Sequence, residues 1–352
     1  MAVNNITTNK RGMFFTLIAL LIVGLLVLVF SSKVDTSIKG HLPVLERRIT
    51  SVNAFVSDIE NTYIERMLRI ATLSSFNAMI DYQKAAGFIM PEQFDSVFAE
   101  LALNGTINNV PQAAVTETNL KALMKTLSDI SDEELHIDAI FYPIAINVFQ
   151  NNETGPWHVG INFTINYFVD SRLETPTAWN RSSNKITKFR ITQLEDPVYT
   201  FNAVSDFRNI IIAENFKGNW TADSFKEHIR QQTYRQDPKA PSYLQRLIND
   251  SRASTCCGIH SMINLNLMED EPNRNATFVD YCYWSDVCLG DDYGNFIWTV
   301  DEITNENLER NKEFYRFKLD TYHIGRYNLT DYTAKLCMYD FQTGIWNGTG
   351  CV

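Results

Sequence analysis

Cysteine is absent before position 256: all six, Cys256, Cys257, Cys282, Cys288, Cys337 and Cys351, fall toward the C-terminal end. Their spacing does not suit a zinc site, which selects C-x2–4-C pairs so that two thiolates reach one tetrahedral ion. Here one pair is adjacent, and Cys282 and Cys288 have five residues between them. The six histidines (His41, His136, His158, His228, His260, His323) are scattered, with no H-E-x-x-H. A nucleophile elbow, a phosphate-binding glycine loop and a dinucleotide fingerprint are missing too. The sequence therefore nominates no catalytic, cofactor-binding or metal-binding residue. Positive charge is also short. A net charge of −10 disfavours nucleic acid and anionic surfaces as partners.

Met13 to Phe30 is the chain's one long uncharged apolar run. As a helix it would extend about 27 Å, enough for a bilayer core. It follows Lys10 and Arg11, so the positive-inside rule puts residues 1–12 in the cytoplasm and the bulk outside. The run is longer than the apolar region of a secretory signal, and Phe30-Ser31-Ser32-Lys33 offers no A-x-A-like cleavage site. An even cysteine count suits disulfides in an oxidising compartment. Asn-x-Ser/Thr acceptors occur at Asn5 and, beyond the span, at Asn104, Asn152, Asn162, Asn180, Asn219, Asn249, Asn275, Asn328 and Asn347. That is about twice what the composition would give by chance. The expectation is a single-pass, extracytoplasmic cell-surface glycoprotein, modified at several of these sites but not at Asn5.

Lys10-Arg11-Gly12 followed by Met13-Phe14-Phe15-Thr16-Leu17-Ile18 resembles the start of a type IV prepilin, of the archaeal type. The resemblance implies cleavage after Gly12, a mature start at Met13, and a hydrophobic helix that bundles with copies of itself. Leu17 stands where bacterial pilins usually carry Glu, and the glutamine-containing start of many archaeal pilins is missing. The implied role is a pilin-like subunit of the envelope or an accessory filament. Alternatives are a plain anchor carrying an adhesin or binding module and, third, a surface hydrolase.

Beyond the span, residues 31–134 read as a helical stalk and helix cluster. Leu45, Ile49, Val52, Val56, Ile59 and Tyr63 recur at steps of four and three, and a doubled step of four through Met67 and Ile70 shifts the face. That seam makes residues 13–70 the candidate region for self-association; alternatively, the helix lies along its own domain. Pro91 opens a helix with Phe94, Val97, Phe98 and Leu101 on one face, and Asn119 caps another.

Residues 135–250 read as an α+β ectodomain. Strands run through Ile137–Val148, with Ala139, Phe141, then Ile144 and Ile146 alternating about an interruption at Pro143, and through Val159–Tyr167. A third holds Ile186, Phe189 and Ile191, and a fourth Val198–Phe201. Helices follow at Ala222–Tyr234 and Pro241–Ile248. Residues 251–352 read as a disulfide-bearing, β-rich subdomain with strands at Ile259–Leu265, Thr277–Trp284 and Asn295–Val300. It closes on a hairpin turning at Thr343-Gly344, which would set Cys337 opposite Gly350 and favour Cys337–Cys351. Cys256 and Cys257 would then pair with Cys282 and Cys288 in either order, a bond between neighbours being set aside as strained. The acidic stretch of Asp280, Asp286, Asp291 and Asp292 does not match a calcium loop and reads as a solvated turn. Tyr281, Tyr283, Trp284, Tyr293, Phe296 and Trp298 read as core.

Overall fold

The computed structural model describes Ile22 and residues 41–172, 178–202, 208–263, 277–285, 296–299, 316–329, 338–340 and 345–347. Over these residues the architecture is α+β, with helices and antiparallel sheets. Among the described residues no helix is long and apolar enough to cross a membrane. The expected span 13–30, save the helical Ile22, and the processing point Gly12–Met13 lie outside them. Contacts group the chain into two units, Met1–Ser51 and Val52–Val352.

Helix α1 (His41–Asp58) runs through one π-turn (Ile59–Tyr63) into α2 (Ile64–Ala86). Val52, Val56 and Ile59 are buried as the seam requires, but the next buried positions are Ile64, Met67, Leu68 and Ala71. Tyr63 and Ile70 sit only half-buried. The expected shift of face occurs one residue away from where the spacing placed it. A π-turn accommodates one extra residue, so Ile59 and Ile64, five apart, share a face. From Val52 onward this face belongs to the domain's own core: Trp179 Nε1 donates to Asn53 Oδ1 at 2.9 Å, and Phe76 packs edge-on against Phe189 and Tyr243.

A 3-10 turn (Pro91–Gln93) leads into α3 (Phe94–Asn104), which buries Phe94, Val97, Phe98 and Leu101 as expected. The loop after α3 holds a short hairpin, β1 (Thr106–Ile107) and β2 (Val110–Pro111). Asn108 and Asn109 turn it with φ of 52° and 63°, which asparagine tolerates well. Helix α4 (Leu120–Leu135) starts where Asn119 Oδ1 accepts the Ala122 N–H at 2.9 Å.

The main sheet has order β3 (Asp138–Phe149), β4 (His158–Asp170), β5 (Ala178–Arg190), all antiparallel. On β4, Val159, Ile161, Phe163, Ile165, Tyr167 and Val169 are buried, while Asn162, Thr164 and Asn166 face the wet side. Two apolar residues of the outer strands, Ile144 and Ile186, point out. A bulge between Pro143 and Ala145 resets the alternation, so Ile146 and Val148 go in and Ile144 is exposed. Phe189 faces the core, and Ile186, an odd number of residues away, cannot share its face.

Val198–Phe201 is not a strand but part of helix α5 (Pro197–Asn202). Asp196 Oδ1 accepts the Val198 N–H at 3.1 Å, and Pro197 suits a first helical position, which overrides the β-propensity of Val, Tyr and Thr. Helices α6 (Ala222–Arg230) and α7 (Tyr243–Leu247) each begin with a capping box, at Thr221/Ser224 and Ser242/Gln245. Strands β6 (Arg235–Gln236) and β7 (Ile259–His260) pair between them.

Thr277–Trp284 is likewise no strand: after a bridge at Val279 it forms α8 (Asp280–Tyr283). A helical turn lets Tyr281, Cys282 and Tyr283 all be buried, which alternation would forbid. The strand expected at Asn295–Val300 is β8 (Phe296–Thr299), paired with β9 (Arg316–Leu319) ahead of α9 (Thr321–Arg326). The last hairpin, β10 (Met338–Asp340) and β11 (Ile345–Asn347), pairs Asp340 with Ile345. Its register is shifted by two from one that sets Cys337 opposite Gly350.

Two apolar clusters fill the interior and interleave in sequence. Tyr243, Leu247 and Ile259 belong to the sheet-and-helix cluster. Tyr199, Trp220, Phe225, Phe278, Tyr283 and Tyr327 belong to the second. Tyr281, Tyr283 and Trp284 are core or packed on it, as the sequence suggested.

Candidate functional site

The polar groups with the most unusual surroundings lie around the second cluster. Arg246, on α7, is wholly buried. Its Nη2 lies 2.5 Å from Asp196 Oδ2 and also bonds Asp280 Oδ2, while Nη1 donates to the Ile259 carbonyl at 3.1 Å. Asp196 further accepts from Tyr234 at 2.7 Å, and Asp280 from the Ser261 N–H at 3.0 Å. Burial pushes the Asp280 carboxyl up, with Arg246 opposing it. Asp196 stands just before α5, Ile259 lies on β7 and Asp280 on α8, so the network joins the start of α5 to α7, β7 and α8.

Beside it three histidines converge that the sequence scatters. His260 ends β7, His228 lies on α6 and His323 on α9. The Tyr327 hydroxyl sits 2.7 Å from His260 Nε2 and 2.9 Å from His228 Nε2, and His228 Nδ1 is 2.6 Å from Thr233 Oγ1. His323 Nδ1 is 2.7 Å from Asp320 Oδ2, the same aspartate whose Oδ1 caps α9 by accepting the His323 N–H. Burial holds His228 down to about 3 and His260 well below the usual imidazole range, so both rings are neutral near pH 7. Burial alone would raise Asp320, but its bonds to His323 keep it lowered.

Asp237 joins this group from the turn after β6. Its carboxylate accepts from the Lys239 N–H at 2.8 Å, from Tyr322 at 3.0 Å and from Arg326 Nε at 3.1 Å. Its ligand oxygen and one nitrogen each of His260 and His323 all lie within 4.8 Å of one another. Among the described residues, His260 Nδ1 and His323 Nε2 are buried without a hydrogen-bond partner. Gly258 allows the approach of β7 to this turn: a Cβ there would lie 2.1 Å from the Ala240 carbonyl oxygen and 2.3 Å from that of Asp237. No signal in the spacing could have found this group, because Asp237, His260 and His323 share no local motif.

Comparison with protein-family profiles, curated proteins and solved structures finds no match in any of the three. The chain stands on its own geometry.

The expected disulfide pairing is overturned in part. Cys256 and Cys257 are bonded to each other, across a Cα–Cα distance of 3.7 Å. Cys257 Sγ lies 3.1 Å from the Asn151 carbonyl oxygen, in the β3–β4 turn. Having no S–H to donate, it makes a packing contact there. Cys282 is buried in the second cluster and is also disulfide-bonded, so it does not serve Cys256 or Cys257. Cys288, Cys337 and Cys351 lie outside the described residues. Of the acceptor asparagines, Asn104, Asn152, Asn180, Asn219 and Asn328 are exposed, and Asn162 and Asn249 are half-buried. Asn249 Oδ1 also accepts from Asn202 at 3.2 Å. Asn5 and Asn275 lie outside the described residues, as does the side-chain exposure of Asn347.

Proposed function

We propose that this chain is a membrane-anchored, extracytoplasmic surface glycoprotein, a pilin-like subunit of the envelope or of an accessory filament. The observation that carries the reading is the position of its acceptor asparagines. Asn104, Asn152, Asn180, Asn219 and Asn328 sit exposed on separate loops, helix ends and a strand, where a glycan can reach solvent. The described cysteines, all oxidised, agree with a compartment outside the cytoplasm. The seam from Val52 onward is covered by the domain itself, so self-association would run through residues 13–51 rather than as far as residue 70.

Glycopeptide mapping of native protein tests the reading. The expected result is glycan at several of the exposed acceptors, less at Asn162 and Asn249, and none at Asn5. Unmodified acceptors throughout, or glycan at Asn5, would overturn it.

A binding module without a filament is the second reading. Ile140, Tyr142, Ile144 and Ile186 favour it, being exposed on the wet side of the main sheet among asparagines. Electron microscopy of the native surface separates the two: ordered filaments support the first, isolated ectodomains the second.

A further inference from the structure

We propose that Asp237, His260 and His323 form a buried site for one divalent transition-metal ion of the zinc class, which clamps α9 to the β6–β7 region. This goes beyond the surface reading and does not depend on it.

Three observations meet here. The ligand atoms converge within 4.8 Å. A tetrahedral ion at about 2.0–2.1 Å from each donor would set them about 3.4 Å apart, a small closure by side-chain rotation. Secondly, two of the three donors, His260 Nδ1 and His323 Nε2, have no hydrogen-bond partner although their residues are 0% and 2% exposed. Buried polar atoms are ordinarily paired, and two unpaired nitrogens on rings that gather with the Asp237 carboxylate call for a partner common to all three.

Thirdly, the proton positions suit a metal. Ionised Asp320 can only accept, so the neutral His323 ring carries its proton on Nδ1 and leaves a lone pair on Nε2. This is the carboxylate–histidine arrangement that orients metal ligands. For His260, two directions of donation satisfy the chain, of which one runs from Nε2–H to Tyr327, from the Tyr327 hydroxyl to His228 Nε2, and from His228 Nδ1–H to Thr233. It leaves a lone pair on His260 Nδ1. The reverse direction would place an N–H there with no acceptor at hydrogen-bond distance.

Two imidazoles and one carboxylate select zinc-class ions over calcium or magnesium, which take mostly oxygen. Burial of all three ligands keeps the ion from bulk solvent, and three donors leave one position of a tetrahedral ion to a further ligand. Tyr322 and Arg326 hold the carboxylate in place by donating to it.

The test uses the full-length chain in detergent, dialysed against a weak chelator. Elemental analysis should find about one zinc-class ion per chain. After stripping with a strong chelator, titration with cobalt(II) should give the visible bands of a nitrogen- and oxygen-ligated ion and raise Tm. His323→Gln should abolish both. Asp320→Asn, which replaces no ligand, should weaken cobalt binding on the order of 10–100-fold with the circular dichroism retained. Less than a tenth of an ion per chain, with no cobalt bands or Tm shift in the unaltered protein, would overturn the site. Those readings decide even where the variants fail to fold. Unchanged cobalt affinity in Asp320→Asn would overturn His323 Nε2 as a ligand. Metal content is read in any compartment, so failure here is distinct from failure of the glycoprotein reading.

Discussion

Tyr167, on the central strand, donates a 2.6 Å hydrogen bond to Glu60 in the π-turn, 107 residues away. The ring is buried and the carboxylate is only half-buried. Burial and the Glu60 charge both raise the Tyr167 pKa, so the phenol stays protonated as donor. Tyr167→Phe should cost about 1–2 kcal/mol, the range of a bond to a charged group at a partly wet site. Chemical denaturation with an unchanged m-value checks it.

The π-turn makes a second, sharper expectation. Deleting the exposed Asn61 converts the five-residue step between Ile59 and Ile64 to an ordinary helical step of four, leaving both buried faces in place. Deleting the equally exposed Asn77 would turn everything after it by about 100° and expose the Met79 and Ile80 face. The first variant should fold and the second should not. Circular dichroism and limited proteolysis of the two deletions, side by side, decide the matter. Equal damage from both would count against the π-turn as a tolerated insertion.

Arg246→Met should be among the most destabilising single changes. It leaves Asp196 and Asp280, both wholly buried, facing each other without their cation. Removing one partner of a buried ionic network costs on the order of 3–5 kcal/mol. A loss below 1 kcal/mol in denaturant titration would mean that the carboxylates find other partners.

His228 predicts acid sensitivity. Its folded pKa is held at about 3 by burial and then by the nearby Arg235, against an ordinary 6.5. Between those values the unfolded chain takes up a proton that the folded chain refuses. The contribution to stability is therefore full above pH 6.5 and is lost as pH falls toward 3, at about 1.4 kcal/mol per pH unit. His228→Gln should flatten the pH dependence of unfolding by that amount between pH 6.5 and 4.5. An unchanged slope would show that this ring is not what senses the acid.

The leader yields the last expectation. If Gly12 closes a prepilin leader, protein from native membranes begins at Met13, and Gly12→Leu blocks processing, because the peptidase needs close access to a backbone without a side chain. N-terminal peptide mass read from both chains is the measurement. A natural chain beginning at Met1 or Ala2, indifferent to the substitution, would leave only an anchor.

What the sequence determined by itself is what neighbouring residues decide together. Pro91 and Asn119 start helices where their own backbone chemistry requires it, and the alternation of Val159 to Val169 makes a strand with one wet face. The phase shift near Tyr63 was legible as a change of face but not as a π-turn, because spacing does not say which hydrogen bonds close the turn. Tertiary structure decided the rest. Val198–Phe201 and Tyr281–Tyr283 have strand-like composition but are helical, and the aspartates at the start of each helix, Asp196 and Asp280, share Arg246. Cys256 is bonded to its neighbour Cys257, while Cys282 is buried in the second cluster. The Asp237, His260 and His323 cluster left no trace in the sequence, because its members meet only through the pairing of β6 with β7 and the docking of α9. Periodicity and capping are local and can be read along the chain; which distant polar groups share one dry interior is set by the packing that excludes water from them.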